Sequence, residues 1–397
     1  MKSVLSIQSH VVHGYVGGRA VIFPLQTQGW EVDNINTVHF SNHTGYGQFR
    51  GQVLGREELA SILDQLIKRL HIGYNAVITG YVPNSELISC IREYIVAMKQ
   101  DNDERNTMQV NGHPTNGNSL DTTTTTTSSS IPSPLIYLMD PVMGDDNYMY
   151  VDQSCVDEYR KLIHSQLVDI ITPNQFELEL LMDQKITNRD SLTRAITQLH
   201  EQCHIPYIAI TSVESQVITG QQQDFIYCVI STKSSPQQST NFNQRHDMRM
   251  FKIPTIKSYF TGVGDLFSAL LLDKFVANQD ESTNLKRLSK SVNQVLTIMA
   301  KTLKLTHKLG MQQAKAALSR NNSNTNSNGT RNGGGMEALL IDDARDAKDA
   351  EVTGDTEDEI VGKINDGETM KYFELKVIQA KEFYNYTGDG EFEELEV

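Results

Sequence analysis

The run Phe260-Thr261-Gly262-Val263-Gly264-Asp265, continued by Leu266-Phe267-Ser268-Ala269-Leu270-Leu271-Leu272, limits the fold more than any other stretch. A helix over 266–272 is apolar on nearly every side, so it is stable only inside a large core with partners all round. The two glycines ahead of Asp265 accept backbone angles that other residues resist and let a ligand approach the main chain. The spacing predicts a loop feeding the N-terminus of a buried helix. The first amides of such a helix have no partner within it, and the helix dipole adds partial positive charge. That end suits an anion, phosphate above all. Asp265 reads two ways here: as a carboxylate facing the held anion, or as the helix N-cap, a position that Asp favours.

A helix buried on all sides needs layers around it, and the rest of the chain supplies them. Short apolar strands are predicted at 3–7, 31–40, 75–79, 135–139, 168–171 and 207–210, with helices at 19–28, 57–71, 84–100, 156–167, 176–182 and 191–202 between them. In the 57–71 helix, Leu59, Ile62, Leu63, Leu66, Ile67 and Leu70 fall on one face. Residues 217–219 and 225–230 read as later antiparallel strands, 248–260 as a loop, and 371–380 as a final strand rejoining the domain. This alternation is the signature of parallel βαβ units, hence an α/β fold of three layers, α/β/α, around a mostly parallel sheet. Ser9, Thr44, Tyr81, Asp140, Asn174 and Thr211 stand at or just past the strand ends. Ligands of open α/β sheets bind outside the carboxyl ends of the strands. Each polar cluster alone is an ordinary turn signal. Their joint placement after consecutive strands points to one cleft, which Asp265 completes.

The 397 residues read as one domain, 1–397, interrupted by polar inserts at 101–134, 231–247 and 319–370. The first holds an unbroken Thr/Ser run at 122–130, the second is rich in Gln, Ser and Asn, and the third joins an Asn/Gly linker to an acidic segment. Such sequences cannot bury a core and are expected as disordered or mobile surface loops. They explain a mean hydropathy of -0.38 in a chain that is 39% hydrophobic. A net charge of -14 argues against a nucleic-acid partner and against an anionic membrane. Four cysteines without CxxC spacing suggest neither zinc nor a disulfide framework. The N-terminus lacks a signal peptide's apolar stretch, and no apolar run is long enough to span a bilayer. A cytoplasmic location is expected, with the nucleus left open.

Several stretches carry a more specific likeness. Leu5-Ser6-Ile7-Gln8-Ser9-His10-Val11, Gly14-Tyr15-Val16-Gly17, Phe40-Ser41-Asn42-His43-Thr44-Gly45-Tyr46 and Thr79-Gly80-Tyr81 come first in the chain. Asp140-Pro141-Val142-Met143-Gly144-Asp145, Ile171-Thr172-Pro173-Asn174-Gln175-Phe176-Glu177 and Gly262-Val263-Gly264-Asp265-Leu266-Phe267 follow. In this order they resemble the pyridoxal kinase family of the ribokinase-like superfamily. The Gly-x-Gly-Asp element is common to the whole superfamily. The Gln-Ser-His and Phe-Ser-Asn-His-Thr-Gly-Tyr stretches separate pyridoxal kinases from sugar kinases. The inserts and the acidic segment depart from the compact family pattern.

The resemblance implies ATP-dependent phosphorylation of the 5′-hydroxymethyl group of pyridoxal, pyridoxine and pyridoxamine, a step of vitamin B6 salvage that yields pyridoxal 5′-phosphate and its relatives. Asp265 would take the hydroxyl proton, and the amides of Gly262, Val263 and Gly264 would hold the moving phosphoryl group. Ser9, Thr44, Tyr81 and His43 would line the pyridine pocket, with Val16 and Phe40 as apolar walls. Thr172, Asn174, Glu177, Thr211 and Ser212 would face the nucleotide phosphates, with Ile253 and Ile256 flanking adenine, although plain core packing explains those two isoleucines equally well. Asp140 and Glu177 would act on Mg²⁺, partly through water, and Asp145 beside a monovalent cation such as K⁺. A homodimer is implied as well. Two alternatives stay open: a kinase of another small alcohol such as hydroxymethylpyrimidine, and a non-catalytic scaffold of the same fold, against which the intact Asp265 and its two glycines speak.

Overall fold

The computed structural model describes residues 2–111, 134–145, 148–233, 246–325 and 360–397. The chain begins β1 (Lys2–Val11), α1 (Gly18–Thr27), β2 (Trp30–Phe40), β3 (Gly51–Val53), α2 (Arg56–Leu63), β4 (Ala76–Thr79), α3 (Ser85–Asn111) and β5 (Ile136–Met139). A small ladder of β6 (Gly144–Asp145) and β7 (Tyr148–Met149) precedes α4 (Gln153–His164), β8 (Ile170–Ile171), α5 (Gln175–Met182), α6 (Arg189–Glu201) and β9 (Tyr207–Glu214). Then come α7 (Ser215–Thr219), β10 (Phe225–Lys233), β11 (His246–Pro254), α8 (Val263–Ala277), α9 (Asn284–Thr325), α10 (Gly367–Met370) and β12 (Glu394–Glu396).

Ten strands form one sheet in the order β12-β11-β10-β9-β8-β5-β4-β1-β2-β3. The run from β9 to β2 is parallel throughout. β3 closes one edge antiparallel, and β10, β11 and β12 extend the other. Alternation within the strands feeds two cores, one per face. Leu5, Ile7, Val77, Tyr137, Met139, Ile171, Ile208 and Ile210 enter the first, whereas Val4, Ala76, Ile78, Leu138, Ile170 and Ala209 enter the second. That is the period of two expected when both faces of a parallel sheet are covered by helices. α8 lies in the second core, buried from Leu266 through Phe275 and packed against α1 and α9. The three-layer α/β architecture follows. Among the described residues no helix is long and apolar enough to cross a membrane. All four cysteines are free and buried.

Five local expectations are corrected. Residues 217–219 lie in α7, closed by Gly220 in the left-handed region, because a short apolar run fits a helical turn as well as a strand. Residues 371–380 form no strand. Phe373, Glu374 and Leu375 are buried in succession, and the chain turns, with the Phe373 amide donating to Met370 O and that of Ala380 to Lys376 O. The last strand is β12. A π-helical turn at Asp64–Arg69 follows α2 and rotates Leu70 out to solvent, away from the face of Leu59 and Leu63. β11 occupies much of the predicted 248–260 loop, and α9 was not predicted at all. The insert boundaries also move. α3 and α9 continue as helix into 101–111 and 319–325, β10 and β11 take 231–233 and 246–247, and Thr369 and Met370 are buried. The remainder of the three inserts, 112–133, 234–245 and 326–359, lies outside the described residues.

Candidate active site

The mouth of α8 is built by two glycines. Gly262 is the N-cap with φ 77°, and a Cβ there would sit 2.0 Å from Tyr15 O. Gly17 has φ 51°, and its Cβ would sit 2.2 Å from Ser9 O. Only glycine tolerates both the backbone angle and the approach. The end of β1, the β1–α1 loop and the start of α8 are thereby pressed together. Asp265 is the third residue of α8, and its side chain does not cap that helix. Its Oδ2 accepts from the Gly17 amide at 2.8 Å, across to the other loop. The N-cap reading of Asp265 is overturned. Asp265 is half-buried. Burial pushes its carboxyl above the usual range, and the Gly17 bond acts in the opposite sense.

Asp140 follows β5 and lies beneath the first turn of α8: a methyl added to Gly264 would stand 3.5 Å from its Oδ2. It is buried and accepts from Ser268 Oγ at 3.1 Å, while that hydroxyl is 2.8 Å from Thr172 Oγ1. Burial, then the negative charge of Asp265, holds the Asp140 carboxyl well above its ordinary value, against the pull of Ser268. Glu177 is pushed up likewise, by burial first and by Asp140 second. Its two oxygens accept from the amides of Met143 at 3.0 Å and Asn174 at 2.8 Å. Asn174 caps α5 in return, accepting from the Glu177 amide at 2.8 Å, and its Nδ2 donates to Gly144 O at 2.8 Å. This reciprocal capping box occupies both side chains. Asp145 stands exposed on β6. Among the described residues, no group of three or more His, Cys, Asp or Glu side chains is arranged to hold a metal ion.

Val16 and Phe40 join Val11 and Val38 in a small apolar cluster, with Tyr81 packed against it. Ser9 is buried at the end of β1. His43 caps the 3-10 turn Thr44–Tyr46, its Nδ1 accepting from the Gly45 amide at 3.0 Å, while Thr44 is exposed. Burial lowers the His43 imidazole to about 4, so the ring is neutral at physiological pH. Thr211 and Ser212 lie within β9 instead of ending it. The register against β10 shifts there, so both stand opposite the single residue Cys228, as in a bulge. Bulges re-aim side chains and cluster near active sites. Ile253 and Ile256 are half-buried, the former on β11 against the second core. Of the basic residues in that stretch, Arg249 pairs with Glu394 at 3.0 Å and Lys252 lies over the Phe225 ring.

Three contributors escaped the sequence reading. Ser268 had a signal, as the one hydroxyl in an apolar run. Gly17 carries no signal beyond its place in the stretch Gly14-Tyr15-Val16-Gly17. Glu374 gave no signal, since it sits between Phe373 and Leu375 in a segment expected to be a strand.

A family model described as phosphomethylpyrimidine kinase matches residues 120–311. A putative pyridoxal kinase of Saccharomyces cerevisiae is 38% identical over 322 residues, covering 80% of this chain and 89% of its own. The chain belongs to the pyridoxal kinase family. Human pyridoxal kinase is 34% identical over 273 residues, 68% of this chain and 76% of its own. The solved pyridoxal kinase of Leishmania donovani in complex with ADP and pyridoxine aligns with a TM-score of 0.62 at 27% identity, covering 78% of this chain and 88% of that one. A Plasmodium falciparum relative with AMP-PNP and PL aligns at 0.60 and 26%, covering 76% and 89%. In this pyridoxal kinase family member, the α8 mouth and the ends of β1, β5 and β8 meet around Asp265, Asp140 and Thr172.

Proposed function

We propose that this chain is an ATP-dependent kinase that phosphorylates the 5′-hydroxymethyl group of pyridoxal, pyridoxine and pyridoxamine. The observation that carries this function is Asp265: a half-buried carboxylate with a raised pKa, fixed by one amide at the start of an apolar helix. Relatives named as pyridoxal kinases, solved with ADP and pyridoxine or with AMP-PNP and PL, support the substrate pair. In the step, Asp265 accepts the hydroxyl proton as that oxygen bonds to the γ-phosphorus. The bond from γ-phosphorus to the bridging oxygen breaks, and ADP leaves. The amides of Gly262, Val263 and Gly264 would face the charge that builds on the transferred group.

Ser9, Thr44 and Tyr81 would bind the pyridine substituents beside Val16 and Phe40. His43, being neutral, would orient the substrate and not protonate it. Thr172, Asn174, Thr211 and Ser212 would meet the nucleotide phosphates, and Ile253 and Ile256 the adenine. The crowding of Asp140, Glu177 and Asp265 suits a cation, because each carboxyl is driven up by burial, and Asp140 and Glu177 also by a negative neighbour. Mg²⁺, when bound, neutralises phosphate charge. Asp140 would hold it, with Glu177 acting through water since two amides already take its oxygens. Asp145 would serve K⁺. We also infer one kinase domain spanning 1–397, supported by β1 and β12 standing in one sheet, and a cytoplasmic location. A homodimer is supported by apolar side chains exposed at the β3 edge, Phe49 and Val53. A monomer mass in sedimentation at micromolar concentration would overturn it.

A second reading, hydroxymethylpyrimidine kinase, is favoured by the family model over 120–311. A coupled ADP-release assay with the three B6 vitamers and hydroxymethylpyrimidine side by side separates the two. Turnover with B6 vitamers, lost with a chelator and restored by Mg²⁺, is expected. No turnover with any vitamer overturns the proposal, and turnover with the pyrimidine alone selects the second reading.

A further inference from the structure

Residues 360–374 cross three loops that come from distant parts of the chain. Gly362 accepts from the Tyr259 amide at 2.9 Å and donates its own amide to Ser258 Oγ at 3.0 Å, just before the α8 mouth. The Asn365 amide donates to Gly45 O at 2.8 Å, on the turn that His43 caps. The segment ends on Glu374, which is buried. Its Oε1 accepts from Tyr46 Oη at 2.7 Å, and its Oε2 accepts from the Tyr15 amide at 3.0 Å and from Thr261 Oγ1 at 3.3 Å. The fit is close: a Cβ on Gly14 would lie 2.6 Å from the carboxylate.

We propose that Glu374 is a positioning residue for phosphoryl transfer, fixing the β1–α1 loop, the 43–46 turn and the entry to α8 in one geometry. This rests on the kinase function proposed above. Each donor adjoins a group of the site. Tyr15 is two residues before Gly17, whose amide holds Asp265. Tyr46 closes the turn of His43 and Thr44, and Thr261 precedes Gly262. Burial first, and the neighbouring Glu374 charge second, hold the Tyr46 phenol protonated, so it remains a donor. Charge-assisted bonds to a carboxylate are shorter and stronger than neutral ones. Donors from three loops meeting on one buried carboxylate make it a rigid junction. Both Glu374 oxygens are taken by donors on these loops, so its effect is transmitted through the loops. A misplacement of about 1 Å at a reacting centre costs on the order of 100-fold in rate.

The test uses the full chain with Glu374→Gln, which keeps the shape but turns an N–H₂ toward donors, and Tyr46→Phe, which removes one bond alone. For each, kcat and KM are measured separately for pyridoxal and ATP, with the melting temperature and amide hydrogen exchange of the 14–17 loop. Glu374→Gln is expected to lower kcat/KM for pyridoxal by about 10–100-fold, to leave the KM for ATP within about threefold, and to speed exchange at Tyr15 and Gly17. The double variant should lose less than the product of the two single losses, because both act on one junction. Unchanged exchange at Tyr15 and Gly17, or losses for pyridoxal and ATP that match each other and track the melting temperature, would overturn the proposal. If wild type turns over no vitamer yet Glu374→Gln still speeds exchange in the loop, the junction stands and the substrate assignment falls. That separates the two failures.

Discussion

The α8 mouth and the Glu374 junction each hold a carboxylate among loops, yet they treat it in opposite ways. Glu374 receives three donors, so both of its oxygens are held and the side chain serves as a fixed strut. Asp265 accepts from the Gly17 amide, and a second carboxylate, Asp140, lies in its field. Burial makes the ionised form of Asp265 costly, against the pull of the Gly17 bond, and a proton is welcome there. One sequence type thus gives a holder or a base according to how many donors the fold supplies.

The sharpest way to break this contrast is Asp265→Asn. The amide oxygen keeps the Gly17 bond while the basicity goes, so kcat should fall on the order of 100- to 10,000-fold. Stability should move the other way. Because the Asp265 pKa is raised in the folded state, the native protein loses stability as pH rises from the ordinary carboxylate range through that raised value. The Asn variant escapes this loss, so its melting temperature should equal or exceed wild type at pH 8, with the gap closing toward pH 4. A variant that melts lower at pH 8 would show Asp265 to be a structural holder like Glu374.

A smaller effect is expected from Gly17→Ala, which leaves both carboxylates in place. The added Cβ meets Ser9 O at 2.2 Å in a backbone conformation that alanine resists. The strain should cost about 1–3 kcal/mol of stability, and the displaced amide about tenfold in kcat. Thermal melts and steady-state kinetics check both. A drop in stability with full turnover would mean that the Gly17 bond does not set the position of Asp265.

The smallest effect at neutral pH belongs to His43. Its folded pKa is lowered from 6.5 to about 4 by burial, so its contribution to stability is complete above pH 6.5 and is lost as pH falls toward 4. His43→Asn keeps an acceptor for the Gly45 amide without a group that titrates there. The two melting curves should nearly coincide at pH 7 and diverge below pH 6, with wild type falling faster. Parallel curves would show that the ring is not kept from protonation by the fold.

Much of the site was legible because its residues sit where regular structure changes to loop. The parallel strands announced themselves through apolar runs, and their polar ends marked Ser9, Asp140 and Thr172 before any contact was known. The apolar character of 266–272, broken only by Ser268, foretells the burial of α8. The unread parts share a cause: they depend on partners far away in the chain. The apolar alternation of 371–380 is not matched by its burial, since Glu374 is buried with Phe373 and Leu375, and the backbone turns between Phe373 and Ala380. α9 has only a diffuse amphipathic pattern over 42 residues and gains its place by packing on α8. No local rule could attach Glu374 to Tyr15, nor tell whether Asp265 turns toward its own helix or toward Gly17.

Tyr15 and Glu374 are 359 residues apart in sequence. A ribosome must therefore translate 359 further residues before the first loop meets its anchor. A nascent chain could already pair β1 with β2 and β4 while its phosphate-facing corner waits for that late arrival. Assembly of the scaffold and acquisition of competence are separated in time by this one bond pattern, by at least the time needed to synthesise the intervening residues.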